Sequence, residues 1–154
     1  MPNDLDFVAL VVERLAGGGA RPLVFGGWAE ELTGLIAPRQ HADIDLLLPA
    51  ASLPDVHWIA GATEIRAKRF AHKRAFVMDC VTIEVTLVQN HPQAPVTYFW
   101  GDVPYYWLKP LSEPELPLAA RGFVAVSREN LIRYRSSHEA TQPWRWRDPA
   151  SLVD

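Results

Sequence analysis

Two acids one residue apart, Asp43 and Asp45 in "DIDLLL", and a third, Glu84 in "VTIEVTLV", are the side chains best suited to chemistry in this chain. Aspartate is disfavoured in strands, and a carboxylate taken out of water is costly unless something pairs with it. Side chains alternate across a strand, so Asp43 and Asp45 share one face while Ile44, Leu46 and Leu48 take the other. Two carboxylates side by side repel, and one stays protonated unless a cation sits between them. Mg²⁺ suits such an all-oxygen site, since it keeps several waters and is completed by substrate phosphates. A bare D-x-D is more often a solvated strand end. Glu84 changes that balance: it shares a face with Thr82 and Thr86, and if its strand lies beside "DIDLLL" three acids converge, giving a metal site with a spare base.

A glycine pair precedes the aspartates. Gly26 and Gly27 fall between a strand, "RPLVF", and a helix starting near Trp28. Glycine lets backbone approach a ligand closely, and a helix N-terminus attracts anions. Phosphates at the glycines would then face Mg²⁺ at the aspartates. Arg39 and His41, in the loop before Asp43, are placed to contact phosphates or to hydrogen-bond the carboxylates. Lys73 and Arg74 begin a strand near Glu84 and could neutralise a triphosphate, although such residues more often solvate a strand end. Tyr98, Phe99, Trp100, Tyr105, Tyr106 and Trp107 could wall an acceptor pocket or serve as core or dimer interface. Arg133, Trp144 and Trp146 fit packing or solvation better than ligand contact, and Cys80, at a turn, has no evident partner.

The elements that must position these residues follow from periodicity and breakers. Asn3 is placed to cap a helix with Leu5, Val8, Val12 and Leu15 on one face, stopped by Gly17–Gly19. After "DIDLLL" comes a turn-rich stretch in which Asp55 can cap a short helical segment. Three extended pieces are expected over Ile65–Phe70, Arg74–Met78 and Val81–Val88, with Asp79-Cys80 turning the chain between the last two. The proline-rich region from His91 to Pro117 predicts hairpins and loops. A strand at "GFVAV" and a helix capped by Ser127 follow. Helix, strand, helix, then mostly strands predicts an α+β fold with a mixed sheet.

The 154 residues can bury a core, and 49% hydrophobic with 21% charged residues is the balance of a soluble globular domain. No apolar run is long enough to span a membrane. Acids in "MPNDLDF" stand where a signal peptide would carry bases, and one cysteine fits a reducing compartment, so a cytoplasmic location is expected. The net charge of −3 disfavours long nucleic acid as a partner.

"GGWAEELTG…RQHADIDLLL" resembles the signature of the nucleotidyltransferase superfamily that includes DNA polymerase beta. Its GGW-A and R-x-H-x-D-I-D-L spacing is most similar to the small aminoglycoside and lincosamide nucleotidyltransferases. The resemblance covers Leu23–Leu48, extends less closely over Arg74–Val88, and reaches the helix at "VSRENLIRYR". It implies a mixed twisted sheet of the minimal nucleotidyltransferase type flanked by helices, with a catalytic core over 1–90. Residues 91–154 would be a short irregular C-terminal extension packed on it. It further implies that Asp43, Asp45 and Glu84 bind Mg²⁺ and catalyse two-metal nucleotidyl transfer, with Glu84 activating the acceptor. Gly26, Gly27, Trp28, Arg39 and His41 are then the expected nucleotide-binding residues. The implied partners are a nucleoside triphosphate, with ATP expected, and a small hydroxyl-bearing acceptor such as an aminoglycoside or lincosamide, in a monomer or homodimer. The competing expectation keeps the fold and makes the chain half of a toxin–antitoxin pair acting on a protein partner. Glu84 stands where this family often has Asp, and is one methylene longer.

Overall fold

The structure is a computed structural model that describes residues 3–17, 21–53, 59–113 and 124–137. Helix α1 (Leu5–Gly17) starts where Asp4 Oδ1 accepts the Phe7 N–H at 2.9 Å. The expected cap, Asn3, is released from that role because the residue after it can fill it. Asn3 is buried instead, and its amide donates to the carbonyls of His41 (2.8 Å) and Asp43 (3.2 Å). Val8, Val11, Val12 and Leu15 recur at helical spacing and enter the core.

Strand β1 (Leu23–Phe25) runs directly into α2 (Gly26–Leu32), which begins two residues earlier than the expected start at Trp28. The left-handed conformation of Gly26, φ +60°, allows that abrupt turn. At the other end of α2, Gly34 is left-handed too (φ +79°), and the Leu35 N–H bonds back to the Glu30 carbonyl, closing the helix. Next come β2 (Asp43–Pro49), β3 (Thr63–Glu64), β4 (Lys73–Met78) and β5 (Val81–Val88). Asp79 and Cys80 adopt positive φ and form the β4–β5 turn, as their position predicts. The extended piece expected over Ile65–Phe70 is absent. A short 3₁₀ turn, Arg66–Lys68, stands there, held by Lys68 N–H to Ile65 carbonyl and Arg69 N–H to Arg66 carbonyl bonds. Three long polar side chains in five residues offer no apolar alternation to keep a strand on the sheet.

A hairpin of β6 (Val96–Phe99) and β7 (Val103–Tyr106) follows, then β8 (Val124–Ala125) and α3 (Arg128–Ser136). Ser127 caps α3 as expected, accepting the Asn130 N–H at 3.3 Å. The main sheet is mixed, in the order β3-β4-β5-β2-β1-β8, so the region after residue 91 supplies one edge strand through β8. The aromatic segment divides: Phe99, Tyr105 and Trp107 are buried and Tyr98 and Tyr106 exposed, as strand alternation requires, and Trp100, in the turn after β6, is buried as well. His72 sits beneath this hairpin, accepting the Trp100 N–H at Nδ1 (3.0 Å). Burial first, then the nearby Lys73 and Arg74 charges, pushes its pKa down to about 3, so its ring is neutral. The architecture is the α+β mixed sheet that the element order predicts. No helix among the described residues is long and apolar enough to cross a membrane. Gly18, Gly19, Asp55, Trp144 and Trp146 lie outside the described residues.

The β1–α2 turn has a steric consequence. A Cβ on Gly26 would fall 2.3 Å from Asp45 Oδ2. Gly26→Ala is therefore expected to destabilise the protein by roughly 1–3 kcal/mol in urea unfolding, from a strained left-handed alanine and a displaced carboxylate. Gly34→Asn, whose nearest neighbour is the end of the Arg128 side chain, should cost less. Equal stability of Gly26→Ala and the parent protein would contradict this packing.

Candidate functional site

The three sequence-singled acids lie on one face of the sheet. Strand β5 runs parallel to β2, pairing Asp43 with Thr82 and Asp45 with Glu84. Alternation then gives Asp43, Asp45 and Glu84 a common side, and the β4–β5 register adds Lys73, two residues before the Ala75 that faces Glu84. Phe25 of β1 is opposite Asp45 on the other side of β2. Asp45, Glu84, Lys73 and Phe25 floor a cleft of about 440 Å³ that Gly26, Lys68 and Thr86 also line, and Asp43 lies outside its lining. Glu30 of α2 and Leu131, Tyr134 and Arg135 of α3 form its wall, and Glu30 and Arg135 are joined by an ion pair. Tyr134 is fixed by stacking on Trp107 at 5.7 Å and by an edge contact with Phe25 at 5.0 Å.

The electrostatics of the floor are dominated by neighbours at short range. Glu84 Oε1 accepts Lys68 Nζ at 3.0 Å and Lys73 Nζ at 3.2 Å. Burial works against ionising Glu84, but Lys73, Lys68 and a hydrogen bond with Asp45 outweigh it, and its pKa is lowered. Asp45 moves the other way. Burial first, then the charge and hydrogen bond of Glu84, pushes it up to about 7 against the pull of Lys73. The two shifts favour a proton on Asp45 and a charge on Glu84, as expected of adjacent carboxylates. Burial lowers the pKa of Lys73, with Glu84 opposing.

The remaining candidates divide. Gly26 lies in the cleft, and its missing side chain makes room for the Asp45 carboxylate. Gly27 makes room for His41, whose Nδ1 would be 2.8 Å from an added Cβ. Trp28 and His41 are buried rather than cleft-lining. The Trp28 indole N–H donates to Asn3 Oδ1 (3.0 Å), its ring packs 4.3 Å from that of His41, and His41 Nε2 meets Glu31 Oε1 at 3.0 Å. The same Glu31 oxygen accepts the Arg39 N–H at 2.9 Å. These residues thus hold the loop that delivers Asp43 and Asp45. Asp43 itself is exposed. Arg74 points away from Glu84, bonding the carbonyls of Phe70 and Lys73. Arg133 lies 5.1 Å from the Tyr105 ring centroid.

Sequence reasoning passed over Lys68, Glu30 and Glu31 and misassigned Asn3. Lys68 could be found only by knowing that its 3₁₀ turn lies against β4 with the lysine reaching Glu84 of β5. The position of Lys73 was legible, because the turn at Asp79-Cys80 sets the register that brings it to the Glu84 face.

As placed, no three His, Cys, Asp or Glu residues among those described form a ready metal-ligand group. The carboxylates of Asp43 and Asp45 remain a donor set of the hard, all-oxygen kind that Mg²⁺ prefers.

The raised pKa of Asp45 predicts a pH dependence. A group whose folded pKa lies above its unfolded value of 3.8 stabilises the fold fully below that value. The contribution is lost as pH rises through about 7. In EDTA, Asp45→Asn should therefore gain stability relative to the parent between pH 4 and pH 8 (roughly, from the two limits). Urea unfolding across that range measures it, and a difference that does not change with pH would contradict the raised pKa.

No family model matches the sequence, and none of the curated proteins matches it. Two solved structures share the fold. The solution structure of the antibiotic-resistance factor ANT(2'')-Ia is 15% identical with a TM-score of 0.62, covering 92% of this chain and 77% of that one. The crystal structure of ANT(2'')-Ia in complex with adenylyl-2''-tobramycin is 13% identical with a TM-score of 0.59, covering 92% and 81%. At these identities the likeness is one of fold: this chain shares the fold of ANT(2'')-Ia.

Proposed function

We propose that this protein transfers a nucleotide from a nucleoside triphosphate, ATP being the first candidate, to a hydroxyl of a small acceptor. The observation that carries this reading is the in-register pairing of Asp45 with Glu84 on the floor of an open cleft, with Gly26 against Asp45. The fold shared with ANT(2'')-Ia, one of whose structures holds an adenylylated aminoglycoside, supports it and makes aminoglycosides the first acceptors to test. Lincosamides come next on the strength of the sequence resemblance.

Asp43 and Asp45 would hold Mg²⁺, which when bound supplies charge neutralisation at the attacking and leaving oxygens; a two-metal arrangement would serve both at once. The glycine turn offers the triphosphate a close backbone approach. The acceptor oxygen forms a bond to the α-phosphorus, the bond from that phosphorus to the β-phosphate bridge breaks, and pyrophosphate leaves. The acceptor proton passes to the Glu84 carboxylate, once that group is free to receive it. Trp28 and His41 act through position: they fix the loop leading into β2, and the Asn3 amide grips the backbone carbonyls of His41 and Asp43. The Arg39 guanidinium, exposed and beside Gly27, would contact phosphate.

Incubation with Mg²⁺, labelled nucleoside triphosphates and a panel of aminoglycosides and lincosamides tests the reading. It is expected to yield labelled acceptor and pyrophosphate in equal amounts. Glu84→Gln should lower turnover by roughly 10²–10⁴-fold with nucleotide binding retained. Asp45→Asn should weaken Mg²⁺-dependent nucleotide binding as well. In thermal melts, Mg²⁺ and ATP together should stabilise the parent protein beyond the sum of their separate effects, because each completes the other's site. Additive shifts, or near-parent turnover in Glu84→Gln with a confirmed acceptor, would contradict the assignment.

A further inference from the structure

The same cleft holds a second arrangement, built from cations. Lys73 begins β4, where its backbone is pinned by paired hydrogen bonds with Phe70 (3.0 and 3.2 Å), and its side chain is only 8% exposed. Lys68 is carried by the 3₁₀ turn, which is itself anchored. Arg69 at the end of that turn makes two 2.8 Å bonds to the Glu64 carboxylate, one from Nε and one from Nη2. From these two fixed supports both ammonium groups converge on the same oxygen, Glu84 Oε1. The trio of Lys68, Lys73 and Glu84 thus has two positive charges and one negative. All three side chains line the open cleft beside Thr86 and Gly26.

Partly desolvated ammonium groups that share one carboxylate are better served by an anion carrying more charge and more acceptor oxygens. A phosphate chain offers both, and lysine binds phosphate as a point charge. We propose that Lys68 and Lys73 form a polyphosphate-binding site that also locks Glu84: in the free protein they hold its carboxylate, and phosphate oxygens replace it when a polyphosphate enters. Loading the cleft then releases Glu84 towards the acceptor, so the base becomes available only when nucleotide is present. The locking role rests on the nucleotidyl-transfer reading, whereas the anion site stands on the lysine geometry alone.

The test is calorimetric titration of the full chain with sodium tripolyphosphate in EDTA, with pyrophosphate as a second arm. The parent protein is expected to bind. Lys68→Met and Lys73→Met should each weaken binding by about 10–100-fold, the range for a lost charge-assisted hydrogen bond. Glu84→Gln should tighten binding several-fold by removing the competing anion, and that gain should vanish in the Lys68→Met background, as coupled neighbours require. Circular dichroism checks each variant. Should Lys73→Met not fold, Lys68→Met carries the test, its side chain being 39% exposed. Tighter binding of tripolyphosphate than of pyrophosphate assigns the site to the nucleotide, and the reverse to the leaving group; either supports it. Absence of binding to folded protein, binding indifferent to Lys68→Met, or an equal Glu84→Gln gain in both backgrounds would overturn the proposal. Nucleotidyl transfer alongside lysine-independent binding would sink the lock and leave the transferase standing. Lysine-dependent binding without transfer would sink the transferase, and the lock with it, and leave the anion site standing.

Discussion

Asp45 and Glu84 face each other across two parallel strands, and their mutual repulsion must be answered by what surrounds them. Two like charges about 4 Å apart at an effective dielectric near 20 cost on the order of 4 kcal/mol. The answer is a raised Asp45 pKa, which favours a proton there, on one side and two lysines on the other. The first lowers the charge, and the second supplies a counter-charge. Neither is needed to build a stable sheet, because Ile83 and Val85 beside Ile44 and Leu46 already bury an apolar face. The cost at Asp45 is thus tolerated locally and sustained by packing elsewhere, a pattern typical of sites whose charge balance changes when a ligand arrives.

That constraint radiates outward through contacts that would otherwise have no common purpose. Gly26 must lack a side chain because Asp45 occupies the space. Gly27 must lack one because His41 does, and His41 is held there by Glu31 and Trp28. Asn3 links the start of α1 to α2, to the loop before β2 and to the first residue of β2 through three hydrogen bonds. On the opposite wall, the aromatic cluster of Phe25, Trp107 and Tyr134 sets the position of α3. The hairpin aromatics therefore act chiefly as core, although they determine how wide the cleft stands.

Much of this was legible in the sequence because two periodicities carry it. The alternation in "DIDLLL" and "VTIEVTLV" fixed the shared face of the three acids, and parallel pairing in register then set Glu84 beside Asp45. Ser127, the β4–β5 turn and the split of the aromatic segment were equally local matters. What escaped was non-local. Asn3 satisfies an ordinary cap pattern, and only tertiary structure shows that Asp4 takes the cap while Asn3 reaches residues about forty positions away. The segment around Lys68 has strand-like boundaries but folds as a 3₁₀ turn, and its lysine bonds a carboxylate on another element. Trp28 and His41 were expected to meet nucleotide because they flank the glycines and aspartates. Their burial places them one layer behind, and flanking position in sequence cannot distinguish the layers.

The most direct test of the central claim is a crystal of the protein grown with Mn²⁺ and a non-hydrolysable ATP analogue, with data collected at the manganese edge. The account predicts anomalous density at the carboxylates of Asp43 and Asp45, the triphosphate in the cleft beside Gly26, and Glu84 parted from Lys68 and Lys73. Manganese and nucleotide bound away from these carboxylates, with the Asp45–Glu84 pair and its lysines unchanged, would contradict it.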